Sequence, residues 1–269
     1  MTRVFLLSGP DYSLAREEVI AVTGIPARRL GRLLLVSGRI SNLKIERLAL
    51  TKAVYKLLFV CSRKNISKRM GSFDWGKVYR GNFAVSVVWF SERSTGIGEA
   101  ELAGHIWRKV KQPKVNLKNP ATNVHLFIFN GYAVCALLER ELHNPFEARK
   151  AHRRPAMLPA SLHPKLARAM VNMTGIQQGV VVDPFCGTGG ILIEAGLMGL
   201  KAEGYDLDNR MIRAAEINLR HANIRNFMLS RKDSRTLNSA LKYVVTDMPY
   251  AREEEKGEKR ICRRYMLGL

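Results

Sequence analysis

Cysteine is scarce. Only Cys61, Cys135, Cys186 and Cys262 occur in 269 residues, widely spaced and with no Cys-x-x-Cys pair. That argues against a disulfide framework and against a zinc site, and favours reduced thiols. No apolar run approaches the ~20 residues that span a bilayer. Thr2-Arg3 leads directly into Val4-Phe5-Leu6-Leu7, without an apolar signal segment or a small-residue cleavage site. The expectation is a cytoplasmic protein with no membrane partner. Neither Gly-x-Gly-x-x-Gly nor Gly-x-x-x-x-Gly-Lys-Ser/Thr is present, so a dinucleotide or a polyphosphate is not the obvious ligand. There is also no internal repeat and no low-complexity tract.

Acidic residues are outnumbered. Lys plus Arg is 44 and Asp plus Glu is 23, a net charge of +21. Residues 1–150 hold 25 basic against 11 acidic residues, and residues 151–269 hold 19 against 12. The first half therefore has a net +14 and the second +7. A nucleic acid is the simplest partner, because neutralised phosphates release counterions.

The first half reads as mixed α+β. Strands are expected at 3–8, 33–36, 84–90 and 124–129, the last joined by Asn130-Gly131 to a returning strand at 132–138. Ser13 is expected to cap a helix, and the apolar spacing over 42–58 predicts another. A helix over 99–111 places Leu102, Ile106 and Val110 on one face. The stretch from Arg140 to Pro159 is polar, basic and proline-containing, which suits a linker. Ser161 is then expected to cap a helix holding Leu162, Leu166, Ala169, Met170 and Met173.

From Val180 strand and helix alternate, which predicts a parallel sheet with strands at 180–182, 201–205, 226–231 and 243–246. The first runs into Asp183-Pro-Phe-Cys-Gly-Thr-Gly-Gly190. Gly187 and Gly189 let the backbone pass close beneath a nucleotide ligand, and the following helix N-terminus can meet a carboxylate. Acidic residues end the next three strands: Asp206, Asp233 and Asp247. Asp206, ~20 residues past the loop, is placed for a ribose diol. Asp233 can accept from an adenine amine. Each Asp alone could be a helix cap or turn residue.

Asp183-Pro-Phe-Cys-Gly-Thr-Gly-Gly-Ile-Leu-Ile-Glu194, Asp206 and Asp247-Met-Pro-Tyr250 resemble motifs of the S-adenosylmethionine-dependent amino-methyltransferases. Val115-Asn-Leu-Lys-Asn-Pro120 with the hairpin after it looks like a THUMP domain. His152-Arg-Arg-Pro155 and His163-Pro-Lys-Leu-Ala-Arg-Ala-Met170 resemble the linker and entry helix of archaeal tRNA guanosine N2-methyltransferases acting at the tenth nucleotide.

The resemblance implies a fold and a division of the chain. An α+β THUMP-containing RNA-binding region spans 1–142, a linker 143–160, and a Rossmann-like α/β methyltransferase domain 161–269. That domain reads as C-terminally incomplete after its fourth strand, with a separate C-terminal fragment as one way to complete an otherwise monomeric enzyme. S-adenosylmethionine is the implied cofactor, held by Asp183, Phe185, Gly187, Gly189, Gly190, Asp206 and Asp233. Asp247, Pro249 and Tyr250 would hold and stack the target guanine, with no metal needed because the sulfonium supplies the leaving group. Arg63, Lys64, Lys68, Arg69, Lys109, Lys111, Lys114, Arg153 and Arg154 are the candidate tRNA contacts, with Phe73, Trp75 and Trp107 nearby. Two other readings stay open: a non-catalytic RNA-binding protein, and an amino-methyltransferase for another RNA base.

Overall fold

The computed structural model describes residues 1–9, 11–90, 98–157, 161–237 and 241–248. They belong to two compact units. The first comprises Met1–Arg16, Ile25–Ser41 and Thr51–His143, and the second Glu17–Gly24, Asn42–Leu50 and Asn144–Leu269. Among the described residues no helix is long and apolar enough to cross a membrane.

The first unit is built on one seven-stranded sheet. Its strands are β1 (Thr2–Leu7), β2 (Ala27–Leu30), β3 (Leu33–Ser37), β4 (Thr51–Ser62), β5 (Phe83–Trp89), β6 (Thr122–Ile128) and β7 (Tyr132–Glu141), in the order β2-β3-β1-β4-β7-β6-β5. Strands β5 and β6 are parallel and every other neighbouring pair is antiparallel. The Asn130-Gly131 turn closes the β6–β7 hairpin, with Phe129 N–H donating to Tyr132 O at 2.9 Å, as turn chemistry dictates.

The helix expected over 42–58 is instead a short helix α2 (Asn42–Glu46) followed by the 12-residue β4. The register of β4 against β7 shifts at Val54/Tyr55 and at Leu57/Phe59. Each bulge resets the alternation of faces, so the period-2 signature is broken and the apolar residues mimic a helical spacing. Strand β2 escaped the sequence reading because Ala27-Arg28-Arg29-Leu30 is a charged edge strand with little apolar pattern. Helix α1 (Tyr12–Thr23) is capped by Asp11, whose Oδ1 accepts from Ser13 N–H at 2.7 Å and Leu14 N–H at 3.2 Å, and not by Ser13. Helices α3 (Ile66–Ser72) and α4 (Glu99–Trp107) cover one face of the sheet, burying Ile66, Met70, Leu102 and Ile106 with Trp75.

The second unit carries a parallel sheet of β8 (Val180–Asp183), β9 (Lys201–Asp206) and β10 (Phe227–Arg231), in the order β10-β9-β8. The fourth strand expected at 243–246 is reduced to a single parallel bridge of Val244 to Val182 on the free side of β8. Two backbone hydrogen bonds hold it, Val182 N–H to Tyr243 O and Val245 N–H to Val182 O, both 2.9 Å. Counted in chain order the arrangement is 3-2-1-4. The order reverses beside β8, which is where an open α/β sheet leaves a crevice at its carboxyl end.

Three helices pack on this sheet: α5 (Pro164–Met173), α6 (Gly190–Leu197) and α7 (Asn209–His221). Ala167 and Val171 of α5 meet Ile191 and Ala195 of α6 over Val181. The cap of α5 is His163, whose ring nitrogen accepts from Lys165 N–H at 3.1 Å; Ser161, expected there, contacts Arg154. Residues 17–24 and 42–50 are pinned within this unit by Glu18. Fully buried, it accepts from Ala49 N–H (2.8 Å), Leu50 N–H (2.7 Å) and Asn172 Nδ2 (2.6 Å).

Candidate active site

Asp183 ends β8 and is 2% exposed. Its Oδ1 accepts from Phe185 N–H at 3.1 Å and from Thr246 Oγ1 at 2.7 Å. One carboxylate thus joins the start of the glycine loop to the segment that ends in Asp247. A second carboxylate closes the other side: Asp206, at the end of β9, accepts from Gly187 N–H at 3.0 Å and from Asp208 N–H at 2.9 Å. Lys232 N–H donates to Asp206 O at 3.1 Å, which brings in the end of β10. Asp233 stands next, its Oδ1 accepting from Arg235 N–H at 3.0 Å, with the Arg235 guanidinium paired to the carboxylate.

The loop between these carboxylates has two left-handed glycines, Gly187 at φ +49° and Gly189 at φ +83°. They differ in surroundings. A Cβ on Gly187 would meet nothing within 4 Å, whereas one on Gly189 would lie 3.3 Å from Ala215 Cβ on α7. Gly187 therefore borders open space and Gly189 lets the loop sit directly on α7. Gly189→Ala is expected to destabilise the protein by more than the ~1–2 kcal/mol of a left-handed alanine, because α7 must also give way. Gly187→Ala should lose no more than the backbone amount. Urea midpoints of the two variants compare them, and equal losses would contradict this difference in packing.

Asp183, Asp206 and Asp247 interact electrostatically. Burial pushes the Asp183 carboxyl up to about 7, hydrogen bonds from Thr246 and Phe185 oppose the rise, and the charges of Asp206 and Asp247 add to it. The folded chain therefore holds this proton more tightly than the unfolded chain does. Its stabilising contribution is full below the ordinary carboxylate range near pH ~4 and lost as pH rises through about 7. Asp183→Asn keeps the acceptor oxygen that Phe185 and Thr246 use. The variant is expected to match the parent near pH ~4 and to exceed it in stability near pH ~8. Chemical denaturation at both pH values reads this, and a pH-independent difference would refute it.

Asp247 and Met248 are both exposed at the carboxyl edge beside Thr246. Pro249 and Tyr250 lie outside the described residues. The structure thus brings Asp183, Asp206 and the segment holding Asp247 to the glycine loop, while the Asp233 carboxylate caps the turn at Ser234–Thr236 and pairs with Arg235.

The basic candidates divide. Lys64, Lys68, Arg69, Lys109, Lys111 and Lys114 are exposed on the turn before α3, on α3 itself and on the segment after α4. Arg63 is half-buried, its guanidinium 5.3 Å from the Trp89 ring centroid. Trp107 is half exposed, but Trp75 is a core residue with no exposure, its Nε1–H donating to Met70 O at 2.8 Å. In the linker Arg153 is exposed. Arg154, expected beside it as an RNA contact, is buried instead, its Nε donating to Arg149 O at 2.9 Å.

Two site residues escaped the sequence reading. Asn218 of α7, 1% exposed, donates to Thr188 O at 3.0 Å and to Ala156 O at 2.8 Å and accepts from Ala156 N–H at 3.0 Å. It clamps the linker to the glycine loop. Glu194 of α6 is fully buried and pairs with Arg149 (2.7 Å) and Arg168 (2.8 Å). A signal existed for each: both are polar residues in helical register with buried apolar ones, Asn218 with Ala215 and Leu219, Glu194 with Ile191 and Ala195.

Residues 151–262 match the family model of an RMKL-like methyltransferase domain, UPF0020. The chain is 34% identical over 225 residues to the tRNA (guanine(10)-N2)-dimethyltransferase of Methanothermobacter thermautotrophicus, covering 80% of this chain and 66% of that one. To the enzyme of the same name from Pyrococcus abyssi it is 32% identical over 226 residues, covering 81% and 68%. The chain belongs to this tRNA methyltransferase family. It spans about two thirds of the length of these relatives. Among solved structures, TrmN from Thermus thermophilus shares the fold with 20% identity and a TM-score of 0.56, over 93% of this chain and 80% of that one. SMU.472, complexed with SAH, shares it with 15% identity and a TM-score of 0.50, over 98% and 84%.

Proposed function

We propose that this family member transfers methyl groups from S-adenosylmethionine to the exocyclic N2 amine of a guanine in tRNA. One observation carries the reading: Asp183 accepts from the start of the glycine loop and from Thr246, the neighbour of Asp247, while Asp206 accepts from Gly187 of the same loop, at the point where strand order reverses. The cofactor's chemistry suits this donor set. Gly187 borders a space that a side chain would enter. Asp206 uses its oxygens on Gly187 and Asp208 N–H groups and retains lone pairs for a ribose diol. The surrounding carboxylates favour a cationic ligand.

In this reading Gly187, Gly189 and Gly190 cradle the cofactor with Asp183 and Phe185, Asp206 holds the ribose and Asp233 the adenine amine. The bound cofactor supplies a methyl group on a sulfonium leaving group. Asp247 accepts a hydrogen bond from the guanine N2 amine. That amine is a poor nucleophile because its lone pair is delocalised into the ring. A carboxylate acceptor orients it and stabilises the positive charge that develops on it. Pro249 and Tyr250 would complete the grip, the ring of Tyr250 stacking on a base turned out of its helix. The first unit, as a THUMP-containing module, would hold tRNA through Arg63, Lys64, Lys68, Arg69, Lys109, Lys111 and Lys114, with Arg153 adding a contact from the linker.

The test is a nucleoside digest of tRNA after incubation with the protein and methyl-labelled cofactor. Label in N2-methylguanosine or N2,N2-dimethylguanosine is expected. Label in a methylated adenosine would replace this reading with a different target base. Binding of tRNA with no label in any nucleoside would leave an RNA-binding protein without catalysis.

A further inference from the structure

Three of the four residues 187–190 are glycine, the residue with the most backbone freedom to lose on folding. A loop of this composition keeps one shape only where other parts of the chain restrain it. Gly189 N–H donates to Cys186 O at 2.8 Å, a bond within the loop. Gly187 N–H donates to Asp206 at 3.0 Å, which ties the loop to the sheet. Thr188 O accepts from Asn218 Nδ2 at 3.0 Å, which ties it to α7.

This last restraint is shared with the linker. Asn218 is 1% exposed, and both amide hydrogens and the carbonyl oxygen of its carboxamide are used. One hydrogen goes to Thr188 O and the other to Ala156 O at 2.8 Å, while Oδ1 accepts from Ala156 N–H at 3.0 Å. Among the described residues no other group bonds Thr188 O or the N–H and O of Ala156. An apolar side chain at 218 would therefore leave three backbone groups unpaired, at a cost. The same face of α7 also carries Ala215, on which Gly189 packs. Two further contacts hold the linker nearby: Arg154 lies against Gly190, and Arg149 pairs with Glu194 one turn into α6. Arg149, Arg154 and Ala156 thus fasten the linker to α6 and to the loop.

We infer that Asn218 is a positioning residue for the cofactor, through which a seated linker becomes a condition of tight cofactor binding. This role presupposes the methyltransferase reading and adds to it a dependence of the loop on a segment outside the sheet. With the clamp closed, Thr188 O is fixed, and the backbone beside it keeps the shape that borders open space at Gly187. With the clamp open, the glycines regain their freedom, and cofactor binding has to restrict them again. The dependence runs both ways. If opening the clamp weakens the cofactor by some factor, bound cofactor suppresses opening by that factor.

Equilibrium binding of S-adenosylhomocysteine and amide hydrogen exchange test it. Asn218→Ala should bind S-adenosylhomocysteine roughly 10-fold more weakly, the range of one or two lost hydrogen bonds, and lose far less affinity for tRNA. In turnover the variant should raise the KM for S-adenosylmethionine and leave kcat at saturating cofactor near the parent's. In the parent, saturating S-adenosylhomocysteine should slow exchange of the Ala156 amide by a factor similar to the affinity loss, a measurement that needs no variant to fold. A folded Asn218→Ala with parental affinity for S-adenosylhomocysteine overturns the inference and leaves the methyltransferase reading intact. So does an Ala156 amide whose exchange in the parent ignores the ligand. An equal loss of S-adenosylhomocysteine and tRNA affinity overturns it too, because it marks a general structural role. Failure of the parent to bind S-adenosylhomocysteine removes the cofactor reading itself, and this inference with it.

Discussion

Asp247→Ala is expected to lower the rate of methyl transfer to tRNA by roughly 10²–10³-fold, the range seen when one preorganised polar contact to a reacting group is removed. Affinity for tRNA should hardly change. Asp247 is exposed at the carboxyl edge, so its loss creates no cavity, and surface substitutions usually stay within about ±0.5 kcal/mol of the parent stability. It neighbours Thr246, whose hydroxyl donates to Asp183, so it stands at the carboxyl edge of the parallel sheet. Single-turnover transfer of labelled methyl groups, with tRNA saturating, separates the chemical step from binding. A variant with parental turnover would sink the amine-holding role. A parallel loss of tRNA affinity would mean that Asp247 shapes the RNA site.

The half that matches the methyltransferase family model is legible in the sequence because its signals are local. Three valines running into Asp183 and then three glycines within four residues give strand, turn and helix. The acids at 206, 233 and 247 could be placed because each stands at or just past the end of a segment expected as a strand, and in a parallel sheet all carboxyl ends lie on one edge. What stayed hidden depends on long-range packing. The 12-residue β4 looks helical in sequence because its two register shifts erase the alternation that identifies a strand. The segment at Val244 has the composition of a full strand, although among the described residues it forms a single bridge. Arg153 and Arg154 are adjacent in a basic linker and indistinguishable by composition, yet one faces solvent and the other is buried against Gly190. No local rule separates them. The difference is set by where Asn218 clamps the chain at Ala156.

The same clamp region makes Glu194 the most consequential structural charge. Glu194→Ala is expected to destabilise the protein by about 3–5 kcal/mol, the usual loss when one partner of a buried ion pair is removed. That is a large part of the ~5–15 kcal/mol that typically separates folded from unfolded states. Glu194 is fully buried, and the Arg168 side chain opposite it is 8% exposed. Burial already pushes the Arg168 guanidinium down from its ordinary range, and Glu194 is the main group opposing that shift. Without Glu194, Arg149 and Arg168 lose the carboxylate they pair with, and only the more distant charge of Glu18 still acts on Arg168. The fault then lies in the unpaired cations and not in the missing carboxylate. Replacing Arg168 as well, as Arg168→Met with Glu194→Leu, should recover stability relative to Glu194→Ala, because apolar residues of similar volume commonly substitute for a buried pair. Urea unfolding of both variants measures this. A double variant no more stable than the single one would show that the pair is needed for its geometry, not for its charge balance.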